Sequence, residues 1–189
     1  DYLKQVHAPE AWNVPVKSAT GSATPVIAVI DSGSDFNHED LANNIYYNEA
    51  DPIDGIDNDG DGYIDNYRGW DFADHDNDPH VAPLGNPHGI HVSGLASAVT
   101  NNAKGMASIA NNHAKLLILK ISSDSEELNR SKSVVVGGYE AIKYAADHDA
   151  NVINCSWGHL FFSSYHQDVV NYAVSQGCLI VAAAGNEGR

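Results

Sequence analysis

The chain has 189 residues, 43% of them hydrophobic, enough for one globular domain with a real core. It carries 10 Lys and Arg against 25 Asp and Glu, a formal net charge of -15. No basic stripe is available to neutralise phosphates, which argues against a nucleic-acid or anionic-membrane surface. No signal peptide and no apolar run long enough to cross a bilayer is present, so the chain is expected to begin after any targeting segment.

In chain order, Val26–Ile30 is a continuous apolar run and reads as a strand buried on both faces. It ends in Asp31-Ser32-Gly33, a carboxylate followed by a small-residue turn. From Asn43 to Pro87 there is little periodicity. Asp, Asn, Gly and Pro mark a long loop, apart from a short strand expected at Tyr67–Phe72. A loop of this length in a compact domain is expected to be functional or metal-organised. Aspartate recurs through it, with Arg68 the only strong base between Asp51 and Asp78, and such a cluster repels itself unless solvated or paired with cations.

Within that loop, Asp57-Asn58-Asp59-Gly60-Asp61-Gly62-Tyr63-Ile64-Asp65 copies the first half of an EF-hand calcium loop. Arg68 stands where the bidentate Glu belongs, and helical flanks are lacking. Further on, Asp71, Asp74, Asp76 and Asp78 offer hard oxygen ligands at short spacing, as Ca2+ prefers. The plain alternative is a solvated acidic surface loop.

His88 opens a helical pattern to Val99, with Val92, Leu95, Ala96 and Val99 on one side. His91, three residues on, raises a His-x-x-His metal pair, but no Glu follows His88 as a His-Glu-x-x-His motif requires. His91 is therefore read as a structural histidine packed or hydrogen-bonded behind His88. Strands are expected at Leu116–Ile121, Val152–Cys155 and Leu179–Ala183, with helices over Ser131–Asp147 and Tyr165–Ser175 between them. This alternation predicts an α/β fold, a parallel β-sheet flanked by helices with right-handed crossovers. Cys155 and Cys178 would sit too far apart along paired strands for a disulfide and read as buried free thiols.

Ligands of such sheets bind beyond the carboxyl ends of the strands. Asp31, Ser156 and Asn186 each follow a strand, which predicts one active-site edge. A buried carboxylate that orients a histidine is two thirds of a Ser-His-Asp hydrolytic apparatus. The Asn186 amide, after Val181-Ala182-Ala183-Ala184-Gly185, could donate to an oxyanion, an interaction worth about 3–4 kcal/mol of barrier.

Asp31-Ser32-Gly33, His88-Gly89-Ile90-His91 and Gly185-Asn186-Glu187-Gly188, in that order, resemble the motifs of the subtilisin-like serine proteases, the subtilases. The resemblance runs from Gln5-Val6-His7-Ala8-Pro9 almost to the end of the chain and implies their three-layer sandwich. It implies that Asp31 orients the base, His88 is the base and Asn186 donates to the oxyanion. Ser156-Trp157-Gly158 matches the family's Ser-Leu-Gly wall of the P1 pocket, with Trp for Leu. The opposite substrate edge falls near Ser125–Asn129, where acidity points to basic residues being accepted. Trp70–Pro79 stands where thermitase-like subtilases carry a calcium loop, and Asp40 matches a ligand of the family's tight calcium site.

Two departures matter. Ile90 replaces the usual Thr, and no Gly-Thr-Ser-Met-Ala-like segment with the nucleophile occurs before Arg189. The resemblance thus implies the N-terminal portion of a catalytic domain over residues 1–189. Its expected partners are a protein or peptide substrate and a C-terminal remainder, and secretion is implied by family alone. A non-catalytic subtilase-fold module that binds peptides or calcium is the alternative. A metal-dependent hydrolase using His88 and His91 ranks below both. A dinucleotide site is weaker again, since the first strand lacks a Gly-x-Gly-x-x-Gly turn.

Overall fold

The computed structural model describes residues 2–14, 24–125, 134–158, 161–186 and 188. Strands β1 (Val26–Asp31), β2 (Trp70–Asp71), β3 (Lys115–Lys120), β4 (Val152–Cys155) and β5 (Leu179–Ala182) form one sheet in the order β2-β3-β1-β4-β5. Every pairing is parallel. Two short helices, α1 (Tyr2–Gln5) and α2 (Ala8–Trp12), precede the sheet, and α3 (His88–Ser97), α4 (Gly138–Asp147) and α5 (Ser164–Ser175) cover it.

Side-chain alternation along the strands divides the core. Ala28 and Ile30 of β1 pack with Leu117 and Leu119 of β3 against Ala141, Ile142, Tyr144 and Ala145 of α4. Val29, Leu116 and Ile118 point the other way, with Ile90, Val92 and Ala96 of α3 packed against them. Covering both faces is what lets the central strands be unbroken apolar runs.

Helix α4 starts at Gly138, not at Ser131 as the periodicity suggested. Val136 N–H donates to Ile121 O at 2.9 Å, and Gly137 takes a left-handed conformation (φ 71) that begins the helix. Three β-branched residues, Val134-Val135-Val136, mimicked a helical stripe while favouring extended backbone. Residues 131–133 lie outside the described part.

The strands end at one edge: Asp31 closes β1, Cys155 closes β4 with Ser156 just beyond it, and Ala183 follows β5. Strand β5 has β4 on one side and no strand on the other among the described residues, and its Leu179 and Val181 are 62% and 46% exposed. Both cysteines are buried and free, and the Cys178 thiol donates to Ala150 O at 3.0 Å. Burial, with the nearby Asp31 charge, pushes the Cys155 thiol up to about 12. Because the thiolate is the nucleophile, Cys155 is expected to resist iodoacetamide at pH 8 in the folded protein and react on unfolding. Rapid native alkylation, read by mass spectrometry, would contradict this burial.

Candidate active site

Strand β1 carries Asp31 to the sheet edge, where only 6% of its side chain is exposed. Helix α3 begins there because Gly89 has no side chain: a Cβ at that position would lie 2.1 Å from Gly33 O and 3.1 Å from Asp31 Cβ. Ser32 joins the two elements. Its Oγ accepts from Gly89 N–H at 3.0 Å and donates to Asn86 O at 2.7 Å. Asn86 Oδ1 in turn accepts from His88 N–H at 3.1 Å.

These contacts set His88 Nδ1 2.8 Å from Asp31 Oδ1. Oδ1 also accepts from Ser32 N–H at 2.7 Å, while Oδ2 is buried with no hydrogen-bond partner among the described residues. An ionised Asp31 accepts the proton of Nδ1, which assigns the lone pair of neutral His88 to Nε2. The imidazole is 47% exposed and so remains reachable, while its partner is not. A base with this geometry can take a proton, and the carboxylate stabilises the resulting imidazolium.

The other expected site residues fall along the same edge. Ser156 Oγ accepts from the Asn154 amide at 2.9 Å. The Trp157 ring lies across the first turn of α4, where a Cβ on Gly138 would come within 2.7 Å of it, and it meets Tyr139 edge-on. Trp157 and Gly158 line a groove of about 390 Å³ with Cys155, Phe162, Ala182 and Ala183. Asn186 follows β5, is exposed, and comes after Gly185 (φ 82). Of the opposite edge, Ser125 is described and residues 126–129 are not. His91 is exposed on α3 rather than packed behind the base.

The acidic residues gather differently from their spacing. Asp59 groups with Asp51 and Asp57 on one side and with Asp61 and His148 on the other, and Asp71 and Asp74 group with Asp124. In each group one possible ligand atom per residue lies within 4.8 Å of the others. Asp76 and Asp78 join no such group among the described residues; their Oδ1 atoms accept from Asp78 N–H and His80 N–H.

Asp51, Asp57 and Asp59 suit a hard cation. Asp51 is fully buried and takes Asn58 N–H at 2.7 Å and Asn66 N–H at 2.9 Å, one per oxygen. Asp57 accepts from Gly60, Asp61 and Gly62 N–H. Each carboxylate offers about four lone-pair positions, so capacity remains for a shared ion. The second group is closed by protein donors: His148 Nε2 lies 2.7 Å from Asp61 Oδ2, its Nδ1 is 2.8 Å from Tyr144 O, and the Asn66 amide also donates to Asp61. Asp40, at the expected tight calcium site, is committed to the Asn102 amide at 2.7 Å and Met106 N–H at 2.8 Å.

At the third group Lys120 Nζ lies 2.7 Å from Asp71 Oδ2 and also contacts Asp124. Both Lys120 and Asp71 are fully buried. Burial pulls the lysine's pKa down, but hydrogen bonds and charges from Asp124 and Asp71 outweigh it, so the ammonium is held charged above its usual range.

Comparison with known proteins decides the family. The family model "Subtilase family" matches residues 22–189. The chain belongs to the subtilases. Thermitase of Thermoactinomyces vulgaris is 36% identical to this subtilase over 186 residues, 98% of the chain and 54% of thermitase. The halolysin-like extracellular serine protease Nep of Natrialba magadii is 34% identical over 97% of the chain and 29% of its own length. Among solved structures, sphericase superposes with a TM-score of 0.65 at 29% identity, covering 88% of this chain and 47% of that one. Fervidolysin from Fervidobacterium pennivorans gives 0.65 at 25% identity, covering 87% and 22%. The subtilase thus spans about half the length of thermitase, and less of Nep. None of its described helices is long and apolar enough to cross a membrane.

Proposed function

We propose that residues 1–189 are the N-terminal portion of the catalytic domain of a secreted, calcium-stabilised serine endopeptidase. The carrying observation is the 2.8 Å contact between buried Asp31 and His88 at the carboxyl edge of the sheet. His88 Nε2 takes the proton of a serine supplied from outside these residues, as that serine attacks a peptide carbonyl. Asp31 holds the ring and stabilises its charge, and Asn186 with a backbone N–H receives the tetrahedral oxyanion. Trp157 and Gly158 border the peptide. Asp51, Asp57 and Asp59 would hold a calcium ion, whose charge would offset the mutual repulsion of the loop's carboxylates. Family membership and the extracellular relative Nep support this reading.

The test is labelling of the full-length, calcium-loaded protein with a fluorophosphonate. One covalent adduct is expected, and it should be absent from His88→Ala. A folded protein that takes no label would instead be a peptide- or calcium-binding module on the same fold.

A further inference from the structure

We propose that Lys120 is the resident cation of the Asp71–Asp74–Asp124 cluster, its ammonium holding the place a divalent ion would take. This stands apart from the peptidase reading and disagrees with the calcium expected for Asp71 and Asp74 from their spacing. Two of the three clustered carboxylates, Asp71 and Asp124, already contact Nζ. Of the remaining oxygens, Asp71 Oδ1 and both of Asp74 accept hydrogen bonds, as the oxygens of Asp51, Asp57 and Asp59 also do, so it is the ammonium that sets this cluster apart. Asp71 Oδ1 accepts from Ala73 N–H at 2.8 Å and Asp74 N–H at 3.2 Å. Asp74 accepts from Ser123 Oγ at 2.8 Å and from Asp124 N–H at 2.6 Å.

The ammonium has no route of retreat. Lys120 pairs with Asp31 across β1 and β3, and its Cδ lies 3.0 Å from where a Gly33 Cβ would stand. The stem therefore runs against the turn after Asp31, and the side chain is fully buried. A divalent ion arriving here would have to share the cluster with a fixed positive charge or expel it into apolar surroundings, and both are costly. The two more exposed carboxylates, Asp74 and Asp124, keep their excess charge in water.

Calcium titration of the chelator-stripped full-length protein, with terbium luminescence as a second readout, tests this. Asp74→Asn is expected to bind as many equivalents as wild type. Lys120→Met is expected to gain one equivalent, lost again in Lys120→Met/Asp74→Asn. An equivalent missing from Asp74→Asn alone, or a folded Lys120→Met with unchanged stoichiometry, would overturn the proposal. If Lys120→Met fails to fold, the wild-type and Asp74→Asn comparison decides. None of these readouts depends on peptide hydrolysis, so they stand or fall separately from the enzyme assignment.

Discussion

Asp31→Asn is expected to lower kcat of the full-length protein by about four orders of magnitude with KM little changed. Asparagine nearly matches the size of aspartate, so the strand end and the Ser32 bridge survive. What changes is the hydrogen bond to His88 Nδ1, 2.8 Å away. The carboxylate accepts a proton there and leaves a lone pair on Nε2. An amide NH₂ facing Nδ1 favours the opposite tautomer, with Nε2 protonated and unable to act as base. The measurement is steady-state hydrolysis of a peptide substrate, beside a melting curve to show intact folding. A loss below tenfold in a folded variant would mean that His88 does not work through Asp31.

The second large effect is expected at Gly89. An alanine Cβ would stand 2.1 Å from Gly33 O, a backbone atom that no rotamer change can move. Either α3 or the turn after Asp31 must give way, and the Ser32–Gly89 bond lies in the same gap. A displacement near 1 Å at a catalytic group costs on the order of 100-fold in rate. Overpacking of this kind also costs about 1–3 kcal/mol of stability. Gly89→Ala should therefore lose roughly 100-fold or more in kcat and melt several degrees lower. A variant with wild-type rate and melting temperature would show that the helix start does not press on the turn.

Four of the five strands were legible because each is a short apolar run bounded by polar or small residues, whereas β2 is only Trp70–Asp71 of the expected Tyr67–Phe72. β1 and β4 begin where the runs begin, and β3 and β5 differ only at their ends. Helix α3 was legible from His88 onward for the same reason. The pairing of Asp31 with His88 was legible as motif order, but its geometry was not. It depends on Ser32 and Asn86, whose bridging comes from the path of the chain rather than from local spacing.

The cation chemistry was the least legible part. Counting aspartates along the loop suggested that Asp57, Asp59 and Asp61 converge on one point. Instead Asp57 turns its carboxylate onto the N–H groups of Gly60, Asp61 and Gly62, and Asp61 pairs with His148. His148 and the Lys120–Asp124 pair are brought in from other parts of the chain, and no local window contains them with Asp61, Asp71 or Asp74, whereas Asp51 lies in the same loop as Asp57 and Asp59. One signal was available: Lys120 is a lone charge in the otherwise apolar run Leu116–Ile121. A cation there must find carboxylates inside the protein, because a parallel central strand offers it no water.

Strand β5 carries a practical consequence. Its outer side meets no further strand among the described residues, and such a border is a row of backbone donors and acceptors ready to template another chain, with Leu179 and Val181 bared beside it. Handled alone at high concentration, the 189-residue polypeptide should stick to itself edge to edge. Sedimentation that broadens with loading, and sharpens when a lysine replaces Val181, would trace that stickiness to this border.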